Sequence, residues 1–178
     1  WGIGTDVQPT SVTQDDNAPS PLRDLTESVT PSITDIPTGY ENGAYANAED
    51  ADSLFSNTSA DYASWEAGEK TAIYYFYPGA QIDMYTITSW TADTAPTEWI
   101  LSGSMDGEVW EELDVRTNQT FEWDRYTRPF SIENPGSYKY YKFEFTNADE
   151  EIQVSELELM GSEFAMANKD ALLQAILK

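Results

Sequence analysis

The chain contains no cysteine and no histidine. The first absence excludes disulfides, thiolate metal sites, iron–sulfur clusters and cysteine nucleophiles. The second removes the commonest general acid–base and the commonest transition-metal ligand, and Ser-His-Asp chemistry goes with them. Two-carboxylate chemistry of the glycosidase kind stays open, because Asp and Glu are plentiful. Basic residues are scarce: 9 Lys and Arg stand against 32 Asp and Glu, a net charge of −23. A surface of that sign repels phosphate backbones and anionic headgroups, so neither nucleic acid nor a membrane surface is expected as a partner. It suits Ca²⁺, a hard cation that takes oxygen ligands. No run approaches the ~18 consecutive apolar residues of a membrane-spanning helix.

What is abundant is aromatic surface, 13% of residues with 6 Trp and 11 Tyr. Such rings fill β cores and also make flat faces on which sugars stack. The length of 178 residues fits one domain with flanking segments. The chain opens at Trp1 without Met and closes at Lys178 inside a helical pattern. We therefore expect a piece of a longer protein, with any signal peptide outside it.

Residues 1–21 are rich in Pro, Ser, Thr and Asp and read as a linker or strap. Leu22, Leu25, Val29 and Ile33 are candidates to pin the adjoining stretch to a core. Residues 40–69 read as a long turn-rich loop loaded with oxygen side chains. Short β-type segments then recur between turn signals, at 71–77, 82–88, 98–101, 109–115, 127–132, 138–145 and 152–160. The first is expected to end at Pro78-Gly79, and Asp106-Gly107 and Asn134-Pro135-Gly136 punctuate later ones. In 82–88, Ile82, Met84, Thr86 and Thr88 share one face; in 138–145, Tyr141, Phe143 and Phe145 do. In the last segment Leu157 and Leu159 face one way, Glu156 and Glu158 the other. This is the pattern of an antiparallel β-sandwich with no βαβ alternation. The tail 162–178 turns to helical spacing through Phe164, Ala167, Ala171, Leu172 and Ile176, a helical linker or the start of a following module.

The order of segments resembles a known family. Trp99-Ile100-Leu101-Ser102-Gly103-Ser104-Met105-Asp106-Gly107-Glu108-Val109-Trp110 is similar to the W-x-L-x-G-S-x-D-G-x-x-W signature of discoidin, or coagulation factor V/VIII type C, domains. Asn134-Pro135-Gly136-Ser137-Tyr138-Lys139-Tyr140-Tyr141 and Val154-Ser155-Glu156-Leu157 fit the same family, as do Glu41-Asn42-Gly43, Leu54-Phe55 and Trp65 upstream. These cover residues 22–161, and the wording is most similar to family 32 carbohydrate-binding modules of secreted bacterial glycoside hydrolases. The resemblance implies an all-β jelly-roll sandwich of the galactose-binding-domain kind, with ligand held by loops along one rim and often a structural Ca²⁺. Trp99 and Trp110 are expected to face the core.

In such a family the ion sits between the loop after Leu54-Phe55 and a Glu on the last strand, which Glu156 matches. The loop departs from the usual pattern, with Ser56 where an Asp is common. Asp50, Asp52, Ser56, Asp61 and Glu156 are therefore the candidate ligands, and the bland alternative is a solvated or hydrogen-bonded Glu156.

For sugar, a ring to stack on and planar polar groups for hydroxyl pairs are required. The loops Ser89–Pro96 and Asn118–Arg128 offer them: Trp90 or Trp123 as platform, and Asp93, Asp124, Arg125 and Tyr126 beside them. For each Trp, packing over the end of the sandwich is the competing role. The expected function is a non-catalytic module that targets a secreted bacterial glycoside hydrolase to glycans, acting as a monomer beside neighbouring modules of the same polypeptide. A structural spacer, or a protein or cell-surface adhesion module, is the alternative.

Overall fold

A computed structural model describes residues 21–162. The helical pattern of the tail and most of the N-terminal strap lie outside them. Ten strands form two antiparallel sheets. In chain order they are β1 Leu22–Asp24, β2 Gly43–Ala46, β3 Ala63–Trp65, β4 Thr71–Gln81, β5 Met84–Ser89, β6 Trp99–Ser104, β7 Glu111–Arg116, β8 Thr127–Ser131, β9 Ser137–Phe145 and β10 Ile152–Ser162. One sheet runs β1-β10-β5-β8, with β3 also paired to β10; the other runs β2-β4-β9-β6-β7. The all-β sandwich expected from the alternating segments is what forms.

Alternation decides which side chains meet between the sheets. Leu157 and Leu159 of β10 and Tyr141, Phe143 and Phe145 of β9 point inward. From β5 the core takes Tyr85 and Ile87, whereas Thr86 and Thr88 belong to the opposite face, bonded to Glu158 and Thr127. The expected shared face of Ile82 with those threonines does not hold: Ile82 is a core residue placed before the strand begins at Met84. Buried rings keep their polar atoms satisfied. Tyr141 donates to the carbonyls of Ala80 and Gly136, and the Trp99 indole donates to Tyr85 Oη at 2.7 Å. Tyr85 donates in turn to Asp114, which also accepts from Arg116.

Three expectations are corrected. Pro78-Gly79 does not end β4, which continues to Gln81 through a bulge between Tyr75 and Ala80. A bulge tolerates a residue that cannot donate to the ladder. Gly79 sits there at φ +149° with the Tyr138 carbonyl 3.2 Å from where a Cβ would stand. Second, residues 40–69 are not one loop: they hold β2, β3 and a 3-10 helix, Ala51–Phe55, whose Ala51, Leu54 and Phe55 are buried. Third, Trp110 is not a core residue. It stands on the outer face of the second sheet, edge-on to Tyr140 and 4.3 Å from the Lys142 ammonium. Leu25 is pinned to the core and Val29 packs against it, but Leu22 and Ile33 are exposed.

Candidate glycan-binding rim

At the end of the sandwich where β5 delivers Ser89, the two loops singled out in the sequence are bonded to each other. Ser89 N–H donates to the Tyr126 carbonyl at 3.1 Å, and Arg125 N–H to the Trp90 carbonyl at 3.2 Å. Ala92 N–H donates to Asp124 Oδ1 at 2.9 Å, and Ser89 Oγ to the Trp123 carbonyl at 3.1 Å. Arg125 takes φ +57° to make its turn. Asp124 therefore ties the rim together through one of its carboxylate oxygens. Asp93 is exposed at the tip of the first loop.

The two candidate platforms have different surroundings. The Arg125 guanidinium lies 3.6 Å from the centre of the Trp90 ring, and the Tyr62 ring lies 4.4 Å away at 30°. Two planar groups at those distances cannot share one face of an indole, so they cover opposite faces. Trp90 is thus the middle layer of an Arg–Trp–Tyr stack, a packed residue with its faces taken. Trp123 is 61% exposed and stands edge-on to Tyr126 at 5.1 Å. Of the two, Trp123 is the ring with surface to offer; Tyr126 is half-buried beneath it, packed against the core.

Tyr62 was missed from sequence, where it reads only as one more residue of a turn-rich stretch. It closes a pocket of ≈ 350 Å³ lined by Asp50, Asp52, Ser53, Asp61, Tyr62 and Trp90. Three of the five candidate calcium ligands thus line the rim. Asp50 and Asp52 do so because the inward stripe of the 3-10 helix is Ala51, Leu54 and Phe55, which leaves them exposed.

The other two, Ser56 and Glu156, meet elsewhere, on the outer face of the first sheet. Glu156 is buried, and its oxygens accept from Thr58 N–H at 3.1 Å and Asn57 N–H at 3.3 Å. Ser56 Oγ lies 3.4 Å from one of them and 3.0 Å from the Ser53 carbonyl, the better acceptor. Burial pushes the Glu156 carboxyl up to about 8, while the two N–H donors pull it back down. The five residues do not fit a calcium ion as one set: they divide between two places, and the groups aimed at Glu156 are donors where an ion needs oxygens. Among the described residues, no three acidic side chains gather in a way that could hold a metal.

No family model matches the sequence, and no curated protein does. The fold is shared with solved modules at low identity. One is CpGH89CBM32-6 from Clostridium perfringens, 15% identical over 67% of this chain and 92% of that one, with a TM-score of 0.56. Another is the family 32 module of NanJ from the same organism, solved with galactose: 13% identical, covering 67% and 93%, TM-score 0.54. An F5/8 type C domain from Bacteroides fragilis is 13% identical, covering 68% and 91%, TM-score 0.57. The fold is therefore the two-sheet antiparallel sandwich of these modules, and its structural neighbours are the family 32 and F5/8 type C domains that the motifs resembled.

Proposed function

We propose that this chain is a non-catalytic glycan-binding module whose site is the rim formed by residues 89–96 and 118–126. The observation that carries the reading is Trp123, held 61% exposed on a loop locked to its neighbour by backbone bonds. Asp93, Asp124 and Arg125 supply planar polar groups near it. Asp124 retains one oxygen beyond its bond to Ala92, and Arg125 retains N–H donors while its plane rests on Trp90. The module with galactose among the structural neighbours supports sugar as the ligand class. Such a site is shallow and buries few ligand atoms, so a Kd on the order of 10⁻³ M, or about −4 kcal/mol, is expected.

On the same reading the module serves a larger secreted bacterial glycoside hydrolase, raising the enzyme's local concentration on glycan by tethering. Calcium enters this reading only at Ser56–Glu156, and there we propose that the Glu156 carboxyl group itself holds the 56–58 loop. NMR titration with galactose, mannose and N-acetylglucosamine tests the site. Amides of 89–96 and 118–126 are expected to shift, and Trp123→Ala to abolish the shifts with the fold intact. A ligand that shifts residues elsewhere would move the site. A glycan array on which nothing binds would leave a spacer or a protein-adhesion module.

A further inference from the structure

At the opposite end of the sandwich, where β4 approaches the start of β5, lies a second aromatic surface that the rim does not involve. Tyr40 is 82% exposed, the most exposed large hydrophobic ring among the described residues. Its ring meets Tyr77 at 5.3 Å and 81°, so the two make a right-angled corner. The corner belongs to a pocket of ≈ 420 Å³ lined by Glu27, Tyr40, Glu41, Asn42 and Tyr77.

The corner is built rather than left over. Asn42 Oδ1 accepts from Tyr77 N–H at 3.0 Å, fixing the turn that carries Tyr40 to the strand that carries Tyr77. Tyr75 Oη donates to the Gly39 carbonyl at 2.8 Å, just ahead of Tyr40, where Gly39 adopts φ +125°. Glu27 is placed by its N–H donating to Tyr74 Oη at 2.9 Å. Three bonds from three different residues thus set the geometry before any ligand arrives, which lowers the ordering cost of binding.

The lining decides what such a corner would take. It has two π faces, two carboxylates and no basic side chain. An aromatic face attracts a cation through its quadrupole, and a second face at a right angle lets one ammonium group touch both. Glu27 and Glu41 add charge of the sign that a cation requires, in a protein already at −23. A uronic or sialic acid would be repelled, and a neutral sugar could use the carboxylates only as hydroxyl acceptors, without the charge attraction that an ammonium group gains. We propose that the Tyr40–Tyr77 corner is a binding site for a small organic cation, an ammonium group carried by a quaternary amine or by an amino sugar.

The test is NMR titration of the full chain at constant ionic strength with choline, glucosamine, galactose and N-acetylglucosamine, using sodium chloride as the baseline. Choline or glucosamine is expected to shift the amides of residues 39–42 and 77, the two arms distinguishing a quaternary amine from an amino sugar as the source. Tyr40→Ala should weaken that binding about tenfold, Tyr40→Phe should retain it, and Glu27→Gln with Glu41→Gln should weaken it without disturbing the fold. No cation-specific shift at millimolar concentration would overturn the site. Neutral sugars shifting these amides as strongly as the cations would overturn its specificity. Either result leaves the rim untouched, because rim residues are read in the same spectra.

Discussion

Replacing Tyr85 by Phe isolates one buried atom, and the structure sets the size of the effect. The ring stays where it is, stacked on Phe130 at 5.2 Å and edge-on to Phe143 at 5.4 Å. What goes is a hydroxyl that accepts from the Trp99 indole and donates to Asp114, each at 2.7 Å. Trp99 is fully buried, so its N–H is left without a partner or water, which costs about 1–3 kcal/mol. The bond to Asp114 is charge-assisted, but Asp114 keeps Arg116 at 2.8 Å and some solvent, so about 1 kcal/mol is a fair share for its loss. The expected total is ~2–4 kcal/mol, and at ~2–4 °C per kcal/mol in a chain of this size the melting temperature should fall by roughly 5–15 °C. Urea unfolding gives the free energy, with an unchanged m-value confirming that the loss belongs to the folded state. In a double-mutant cycle, Trp99→Phe should cost less in the Tyr85→Phe background than alone, by about 1 kcal/mol. A Tyr85→Phe variant within 0.5 kcal/mol of the parent, the scatter of an ordinary surface substitution, would refute the claim that this hydroxyl is the indole's partner.

Glu156 has a folded-state pKa of about 8 against an ordinary 4.5, raised first by burial. Below about 4.5 the carboxyl is protonated in both states and its contribution is fully present; as pH rises to about 8 the unfolded chain alone ionises and that contribution is lost. The urea midpoint should therefore fall between pH 5 and pH 9 more in the parent than in Glu156→Gln, and parallel declines would contradict the assignment. Adding calcium or EDTA should leave the melting temperature of the parent unchanged, because the loop donates N–H groups to Glu156; a rise that scales with the logarithm of calcium concentration would put a cation there after all. Gly103→Ala would set a Cβ 2.5 Å from the Tyr138 ring, which Glu111 holds through the Tyr138 hydroxyl. Overpacking of that kind costs ~1–3 kcal/mol, and a neutral result in thermal unfolding would mean that Tyr138 moves freely.

Much of the fold was legible because period-two alternation and turn residues act locally. Leu157 and Leu159 against Glu156 and Glu158 could be assigned to faces without knowing any partner strand. Trp110 could not, because its place depends on a loop: Asp106 Oδ1 accepts from Glu108 and Val109 N–H groups and turns the chain so that the indole lands on the outer face, over Lys142. The rim loops were legible as aromatic-rich and polar, and the bonds Ser89–Tyr126 and Trp90–Arg125 bring them together. Which Trp stays free was not legible, since Tyr62 covers Trp90 from 28 residues away in sequence. The division of the carboxylates was hidden for a related reason. Asp50 and Asp52 precede or enter a 3-10 helix whose buried stripe decides their direction, and no strand alternation announces that helix.

The bonds between the rim loops make them a single heritable unit. Residues 123–126 take their position from the backbone of 89–92, through the Ser89, Trp90 and Ala92 contacts. A chimera that imports a first loop of different length or backbone path would keep Trp123 in its sequence but release it from its bearing. Altered specificity would then have to be built by exchanging both segments together, with Tyr62 as the third member because it closes the far side of Trp90. A change in the backbone path of either loop is correspondingly felt by the other, even at positions that never meet a ligand.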